Sequence, residues 1–233
     1  MLSARVAKMI DHAVLHPTQT MVDLDAAIAL SKQYEIASLC VKPYMVPYVS
    51  ERLQDSTVMT STVIGFPHGS NITDVKRRES EEALKHGAKE LDMVTNIGWI
   101  KSKDWNAIQE EVNTIATLCH DASAILKVII ETDYLSQDEV LSMTQLLDES
   151  DADFIKTSTG FGYTKRSNGF YAYDGALLDN IRLMKSNIKG KLRIKASGGI
   201  RDLQTLLQFR NAGAERIGTS STESIMIEAI KES

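Results

Sequence analysis

The chain alternates between short apolar runs and longer stretches that carry charge on one side. Eight runs read as strands: Ile10–Leu15, Ile36–Val41, Val58–Gly65, Lys89–Ile97, Ala124–Glu131, Asp153–Thr157, Leu192–Ala196 and Glu215–Gly218. Several, such as TVIGF, LKVII and DFIKT, show little polar alternation. Strands that are apolar toward both sides suit a parallel sheet with both faces covered. The stretches between them have helical spacing. Asp74–His86 carries its charges on one side and is ended by Gly87. Lys103–His120 places Trp105, Ile108, Val112, Ile115 and Leu118 on one face. Asp138–Ser150 and Asp202–Asn211 follow the same scheme, the latter ended by Gly213. Eight alternations of strand and helix predict an α/β protein with a closed (β/α)8 TIM barrel rather than an open sheet. In such barrels the site lies at the C-terminal ends of the strands, so polar residues there are the ones to inspect.

The 233 residues, 43% of them hydrophobic, can fill one core, and no Pro/Gly/Ser-rich stretch divides the chain. One domain over residues 1–233 is therefore expected. The formal net charge of −5 offers no basic surplus for nucleic acid or an anionic membrane. Any anion site must be local. Cys40 and Cys119 form no CxxC pattern, which argues against a disulfide framework or a zinc site. The N-terminal residues lack a signal-peptide core, and no apolar run approaches the length of a membrane span. A soluble cytoplasmic protein is expected.

Two lysines stand inside apolar strands, Lys156 in DFIKTSTGFG and Lys195 in RIKASGG. One such lysine could be a snorkelling side chain or half of a buried ion pair. Two, each just before a small-residue turn, point to chemistry. An amine attacks a carbonyl only when neutral, and free lysine is mostly protonated at neutral pH. Two ammonium groups about 5 Å apart repel by roughly 3 kcal/mol at an effective dielectric near 20. That would depress one pKa by about two units, and desolvation acts in the same direction. One lysine becomes a nucleophile while its neighbour stays a cation. This argument leaves open which is which. Arg193, two residues from Lys195, is expected near the bottom of the barrel in a structural role.

KELDMVTNIG places Glu90, Asp92 and Asn96 on one strand face. Asp92 is a candidate acid/base or lysine partner. Asp11 is a second inward carboxylate, and Lys127 is a third strand lysine expected to pair with Asp92 or Glu131. His12 reads as a satisfied core histidine. Three small-residue turns follow the last three strands: TSTGFG at 157–162, SGGI at 197–200 and GTSS at 218–221. Glycine lets backbone N–H groups approach an anion, and a final helix over Ser221–Ile230 would add positive charge at its N-terminus. The loops after strands 7 and 8 are a common phosphate site in barrels.

Together these stretches resemble the deoxyribose-phosphate aldolase family. The matching motifs, in order, are IDHAVL, LCVKP, VIGFPHG, ELDMVTNIG, LKVIIET, FIKTSTGFG, IKASGGIR and RIGTSS, spanning nearly the whole chain. The resemblance implies Lys156 as the Schiff-base lysine, Lys195 as the lysine that perturbs it, and Asp92 as a proton relay working through water. It places Asp11 and Cys40 in the pocket wall, and Gly160, Gly198, Gly199, Gly218, Ser220 and Ser221 in a phosphate cradle. The implied reaction is reversible cleavage of 2-deoxy-D-ribose 5-phosphate to D-glyceraldehyde 3-phosphate and acetaldehyde. The expected bond is C3–C4, with the iminium as electron sink and no metal or cofactor required. A homodimer or higher homo-oligomer is implied as well.

Two departures stand out. Ala13 occupies a position where members usually carry Thr. The segment YTKRSNGFYAYD intervenes between TSTGFG and Gly175-Ala176. It is expected over the catalytic face, as a lid, a cationic phosphate contact, a subunit contact or a surface insertion. Two further readings remain beside the first: a class I aldolase for another aldehyde or sugar phosphate, and a phosphosugar-binding barrel without catalysis.

Overall fold

A computed structural model describes all 233 residues. Eight strands form the barrel: β1 (Ile10–Val14), β2 (Ser38–Val41), β3 (Met59–Ile64), β4 (Glu90–Val94), β5 (Ile125–Ile129), β6 (Phe154–Lys156), β9 (Arg193–Ser197) and β10 (Arg216–Thr219). The remaining pair, β7 (Thr164–Lys165) and β8 (Tyr171–Ala172), forms a separate antiparallel hairpin. All barrel pairings are parallel, and β1 closes against β10 with Ile10 opposite Ile217. The closed barrel predicted from the alternation is the fold.

Around it run α1 (Leu2–Ala7), α2 (Met21–Tyr34), α3 (Val46–Leu53), α4 (Thr73–Lys85), α5 (Ile97–Ser102), α6 (Trp105–Asp121), α7 (Gln137–Asp148), α8 (Leu178–Asn187), α9 (Leu203–Ala212) and α10 (Thr222–Lys231). Capping fixes several starts. Thr20 with Asp23 opens α2 and Ser136 with Glu139 opens α7, each as a capping box. Asp202 accepts from Thr205 N–H at the start of α9. The helix read over Lys103–His120 is α6, beginning two residues later. Lys103 adopts a left-handed conformation (φ 59°) that ends α5, and Asp104 caps α6 by accepting from Ala107 N–H. No helix is long and apolar enough to cross a membrane.

Strand pleating divides the side chains into two populations. Leu91 and Met93 on β4, Leu126 and Val128 on β5, Ile155 on β6, Ile194 on β9 and Ile217 on β10 belong to the apolar core between barrel and helices. Their neighbours point inward and are largely charged: Glu90, Asp92, Lys127, Lys156, Lys195 and Arg216. The apolar shell therefore supplies the burial that drives folding, while the barrel interior is ionic.

One buried ion pair lies outside that interior. Lys76 on α4 donates to Glu111 on α6 at 2.7 Å and to the Val94 carbonyl at 2.8 Å, with both side chains fully buried. It ties two helices to the end of β4. Replacing it strands Glu111 away from water. Lys76→Met is expected to cost about 3–5 kcal/mol. A lowered urea-unfolding midpoint would register the loss, and an unchanged midpoint would contradict it.

Candidate active site

The ionic interior is built by register. Lys156 and Lys195 lie directly opposite one another across β6 and β9. Asp92 faces Lys127 across β4 and β5. Both Lys156 Nζ and Lys195 Nζ donate to the same oxygen of Asp92, Oδ2, each at 2.7 Å. Lys127 donates to the other oxygen, Oδ1, at 2.9 Å, and also to Glu90. Lys195 makes a second ion pair with Asp11 at 2.6 Å. Arg216 donates to Asp11 and, at 2.7 Å, to Glu90.

Counting charge across this network decides between the two lysines. Lys127, Lys195 and Arg216 are three cations, and Asp11, Glu90 and Asp92 are three carboxylates. Lys156 is a fourth amine with no carboxylate of its own, since Asp92 also serves Lys127 and Lys195. An uncompensated buried charge costs several kcal/mol, so of these amines Lys156 is the one whose proton is held least firmly. Burial, chiefly, and then the nearby Lys195 ammonium push its pKa below the ordinary lysine value, against the opposing pull of Asp92. For Lys195 burial acts in the same sense, but Asp11 and Asp92 together outweigh it and raise the pKa. The same balance raises Lys127, where Asp92 and Glu90 lead. Asp92 and Asp11 stay well below the usual carboxylate range because the surrounding cations overcome their burial.

Above this network opens a cavity of about 170 Å³. Nine of the sequence candidates line it: Asp11, Cys40, Lys156, Gly160, Lys195, Gly198, Gly199, Gly218 and Ser220. Asp92 lies beneath, touching the cavity only through the lysines. Ser221 is not part of the lining. Its N–H is turned to Thr219 Oγ1 at 2.9 Å, ahead of α10. Asn96 is not on the strand face with Asp92, because β4 ends at Val94 and Asn96 caps α5 by accepting from Gly98 N–H. Lys127 pairs with Asp92 and Glu90, not with Glu131. Arg193 packs over Phe154 (4.0 Å to the ring centroid) and reaches Asp153 at 3.8 Å, away from the cavity. His12 bonds Thr222 Oγ1 at 2.8 Å, and burial lowers its pKa to about 4, so it is neutral at neutral pH.

Gly198 and Gly199 have successive positive φ values, 95° and 81°, which form the bend of the cradle loop. Gly218 is small for a different reason: a Cβ there would sit 2.8 Å from Ser197 Cβ and 3.3 Å from Lys195 Cε, in the path of the lysine stem. Cys40 is a thiol rather than a thiolate, since burial, with Asp92 adding to it, raises its pKa.

Four residues were not singled out for the site. Arg216 opens the RIGTSS motif, and it lies opposite Lys195 across β9 and β10. Arg201 falls inside IKASGGIR and lines the cavity as its one guanidinium. Tyr173 lines it from the inserted segment. Glu131 receives the N–H and hydroxyl of Thr159 and so fixes the loop after β6. Burial pushes its carboxyl up to about 7, with the Thr159 bonds opposing. Its left-handed backbone (φ 53°), where strand pairing ends, is not visible in a hydrophobicity pattern.

Residues 5–225 match the family model described as DeoC/LacD family aldolase. The chain belongs to the DeoC/LacD family of aldolases. This family member is 40% identical over 227 residues to the deoxyribose-phosphate aldolase of Rhodopirellula baltica, which covers 97% of this chain and 90% of the relative. Among solved structures it is similar to an aldolase designated QR15, at 41% identity and TM-score 0.88, covering 97% of this chain and 96% of that one. It is also similar to the tetrameric deoxyribose phosphate aldolase of Aeropyrum pernix, at 28% identity and TM-score 0.86, covering 98% and 92%.

The depressed carboxylates set the aldolase's behaviour in acid. Asp11 and Asp92 ionise more readily in the folded chain than in the unfolded one. Their stabilisation is complete above the unfolded value of about 3.9 and is lost as pH falls through the lower folded values. Calorimetric melting is expected to fall steeply below about pH 4 as their share is lost. Asp92→Asn should start from a lower plateau and fall less steeply. An acid limb identical to that of the parent would contradict this.

Proposed function

We propose that the chain is a class I aldolase that reversibly cleaves 2-deoxy-D-ribose 5-phosphate to D-glyceraldehyde 3-phosphate and acetaldehyde through a Schiff base on Lys156. The observation that carries the proposal is the buried charge balance, which leaves Lys156 as the one amine without a carboxylate of its own, facing the cavity.

The neutral amine of Lys156 adds to the C1 aldehyde, and loss of water gives an iminium. Carbon counting corrects the expected bond. Acetaldehyde keeps C1 and C2, so the bond that breaks is C2–C3, not C3–C4. The C3 hydroxyl gives up its proton, the C2–C3 electron pair moves into a C1–C2 double bond, and the iminium becomes a neutral enamine. C3 leaves as the aldehyde carbon of glyceraldehyde 3-phosphate. The enamine then takes a proton at C2, and water hydrolyses the resulting iminium to acetaldehyde and free Lys156. Asp92, bonded to both lysines, suits a relay that returns protons through water or the Lys195 ammonium. The same low-dielectric surroundings that disfavour the Lys156 ammonium also disfavour the iminium, which favours the bond-breaking step that discharges it.

The substrate's phosphate end fits the turns at Gly198–Gly199 and Gly218–Ser220, with Arg201 as counter-charge. Ala13 also lines the cavity, so a hydroxyl usual in the family is missing from that wall. We further propose assembly as a homo-oligomer, on the precedent of the tetrameric Aeropyrum pernix protein, and work in the cytoplasm. The two buried, unbridged cysteines suit a reducing compartment.

Borohydride reduction in the presence of deoxyribose 5-phosphate, followed by peptide mapping, is expected to place the adduct on Lys156. Lys156→Arg should fold normally and lose adduct and turnover alike. Appreciable turnover by that folded variant would sink the assignment. The charge balance makes a second prediction. Lys195→Met removes one cation, and Lys156 becomes the third partner of three carboxylates. Its pKa then rises, and each unit of rise removes about tenfold of the neutral amine at pH 7. The alkaline-rising limb of kcat/KM should move to higher pH by at least about one unit. A limb left in place, at any residual rate, would contradict the balance.

A further inference from the structure

We propose that Tyr173 is a specificity residue: its ring forms the wall that closes the cavity beside the glycine cradle, and so limits how far a phosphorylated substrate extends beyond the reacting carbons. This rests on the aldolase reading above.

The inserted segment 163–174 forms the β7–β8 hairpin, with Arg166 N–H donating to the Phe170 carbonyl at 2.8 Å and Gly169 N–H returning to Arg166 at 2.9 Å. Only Tyr173 of this segment lines the cavity that holds Lys156 and Lys195. The segment's cations are not turned to that use. Arg166 pairs with Asp174 at 2.8 Å, and Lys165 is exposed outside the lining. Phe170 and Tyr171 are 75% and 65% exposed, so they lie away from the site. What the insertion brings to the cavity is one aromatic ring.

That ring is held in place from two sides. Tyr163 packs edge-on against it, with centroids 5.3 Å apart. Immediately downstream the chain is fixed at three points. Asp133 accepts from the N–H groups of Asp174 and Gly175, the latter at 3.1 Å. Ala176 N–H donates to the Gly198 carbonyl at 3.2 Å. Gly175 lies so close to the cradle that a Cβ on it would fall 2.7 Å from the Gly198 oxygen. Tyr173 is therefore two residues from a backbone joint with the cradle itself. With one end of a substrate fixed at Lys156 and its phosphate at Gly198–Gly199, the ring stands where a longer carbon chain would bulge.

The test is run in the synthetic direction, which avoids any difference in the configuration at the cleaved bond. Acetaldehyde is condensed with D-glyceraldehyde 3-phosphate or with D-erythrose 4-phosphate, one carbon longer, and kcat/KM is measured for each. The parent protein is expected to prefer the shorter acceptor. Tyr173→Ala should shrink that preference by at least about tenfold, chiefly through a lower KM for the longer acceptor. Tyr173→Phe should keep the parent ratio, because the ring rather than the hydroxyl is the wall. An unchanged ratio in Tyr173→Ala, or an equal change in Tyr173→Phe, overturns the inference while leaving the aldolase reading intact. Acetaldehyde trapping on Lys156 by borohydride in each variant shows that the site is still formed. No turnover and no adduct in the parent protein would remove the aldolase reading and this inference together.

Discussion

Asp92 sits fully buried at the centre of β4, and its two oxygens receive the side-chain N–H groups of Lys127, Lys156 and Lys195. A single carboxylate could not neutralise three lysines if all were charged. The interior therefore recruits Asp11 and Glu90, and Arg216 bridges that second pair. Six groups close the charge ledger and the seventh, Lys156, is left over. The proposed nucleophile is thus set apart by the arrangement of the whole barrel interior rather than by one neighbour. Repulsion between paired lysines contributes, but burial is the larger cause and acts on both lysines. What separates them is access to Asp11.

The ionic interior also explains the rest of the architecture. A barrel filled with seven titratable groups gains little from its own centre, since buried ion pairs roughly break even against their desolvation. Stability has to come from the outward residues of the same strands, packed on the helices. Each strand thus serves two ends by its two-residue period: alternate residues hold the fold, and the residues between them form the ionic interior. In Glu90-Leu91-Asp92-Met93 the division is visible residue by residue.

Much of this could be read from the chain. Strand and helix alternation carried the barrel, because parallel strands buried on both faces leave continuous apolar runs. Lys156, Lys195 and Asp92 stood out because charge inside such runs has a narrow set of explanations. The reading was weaker where position depends on where a strand stops. Asn96 follows the period of β4 in sequence, but pairing ends at Val94 and the next residues turn into α5. Ser221 belongs to a small-residue turn like its neighbours, yet Thr219 takes up its N–H. Arg216 was passed over, and Glu131 was offered to Lys127, because their partners, Asp11 and Thr159, are remote in sequence and meet them only through barrel closure and loop folding. Tyr173 carries no periodic signal at all. Its place depends on the joint between Gly175 and Gly198.

Closure of the barrel by its first and last strands has a consequence for biogenesis. Asp11 enters on β1, and its partners Lys195 and Arg216 arrive on β9 and β10. A nascent chain exposes Asp11 long before Lys195 and Arg216 exist, whereas Lys127 soon follows Glu90 and Asp92. Until Arg216 has been synthesised and β10 has docked, Asp11 lacks the partners that offset its burial, so the barrel interior does not close around it early. Completion of the ion-pair network is in this way tied to completion of the sheet.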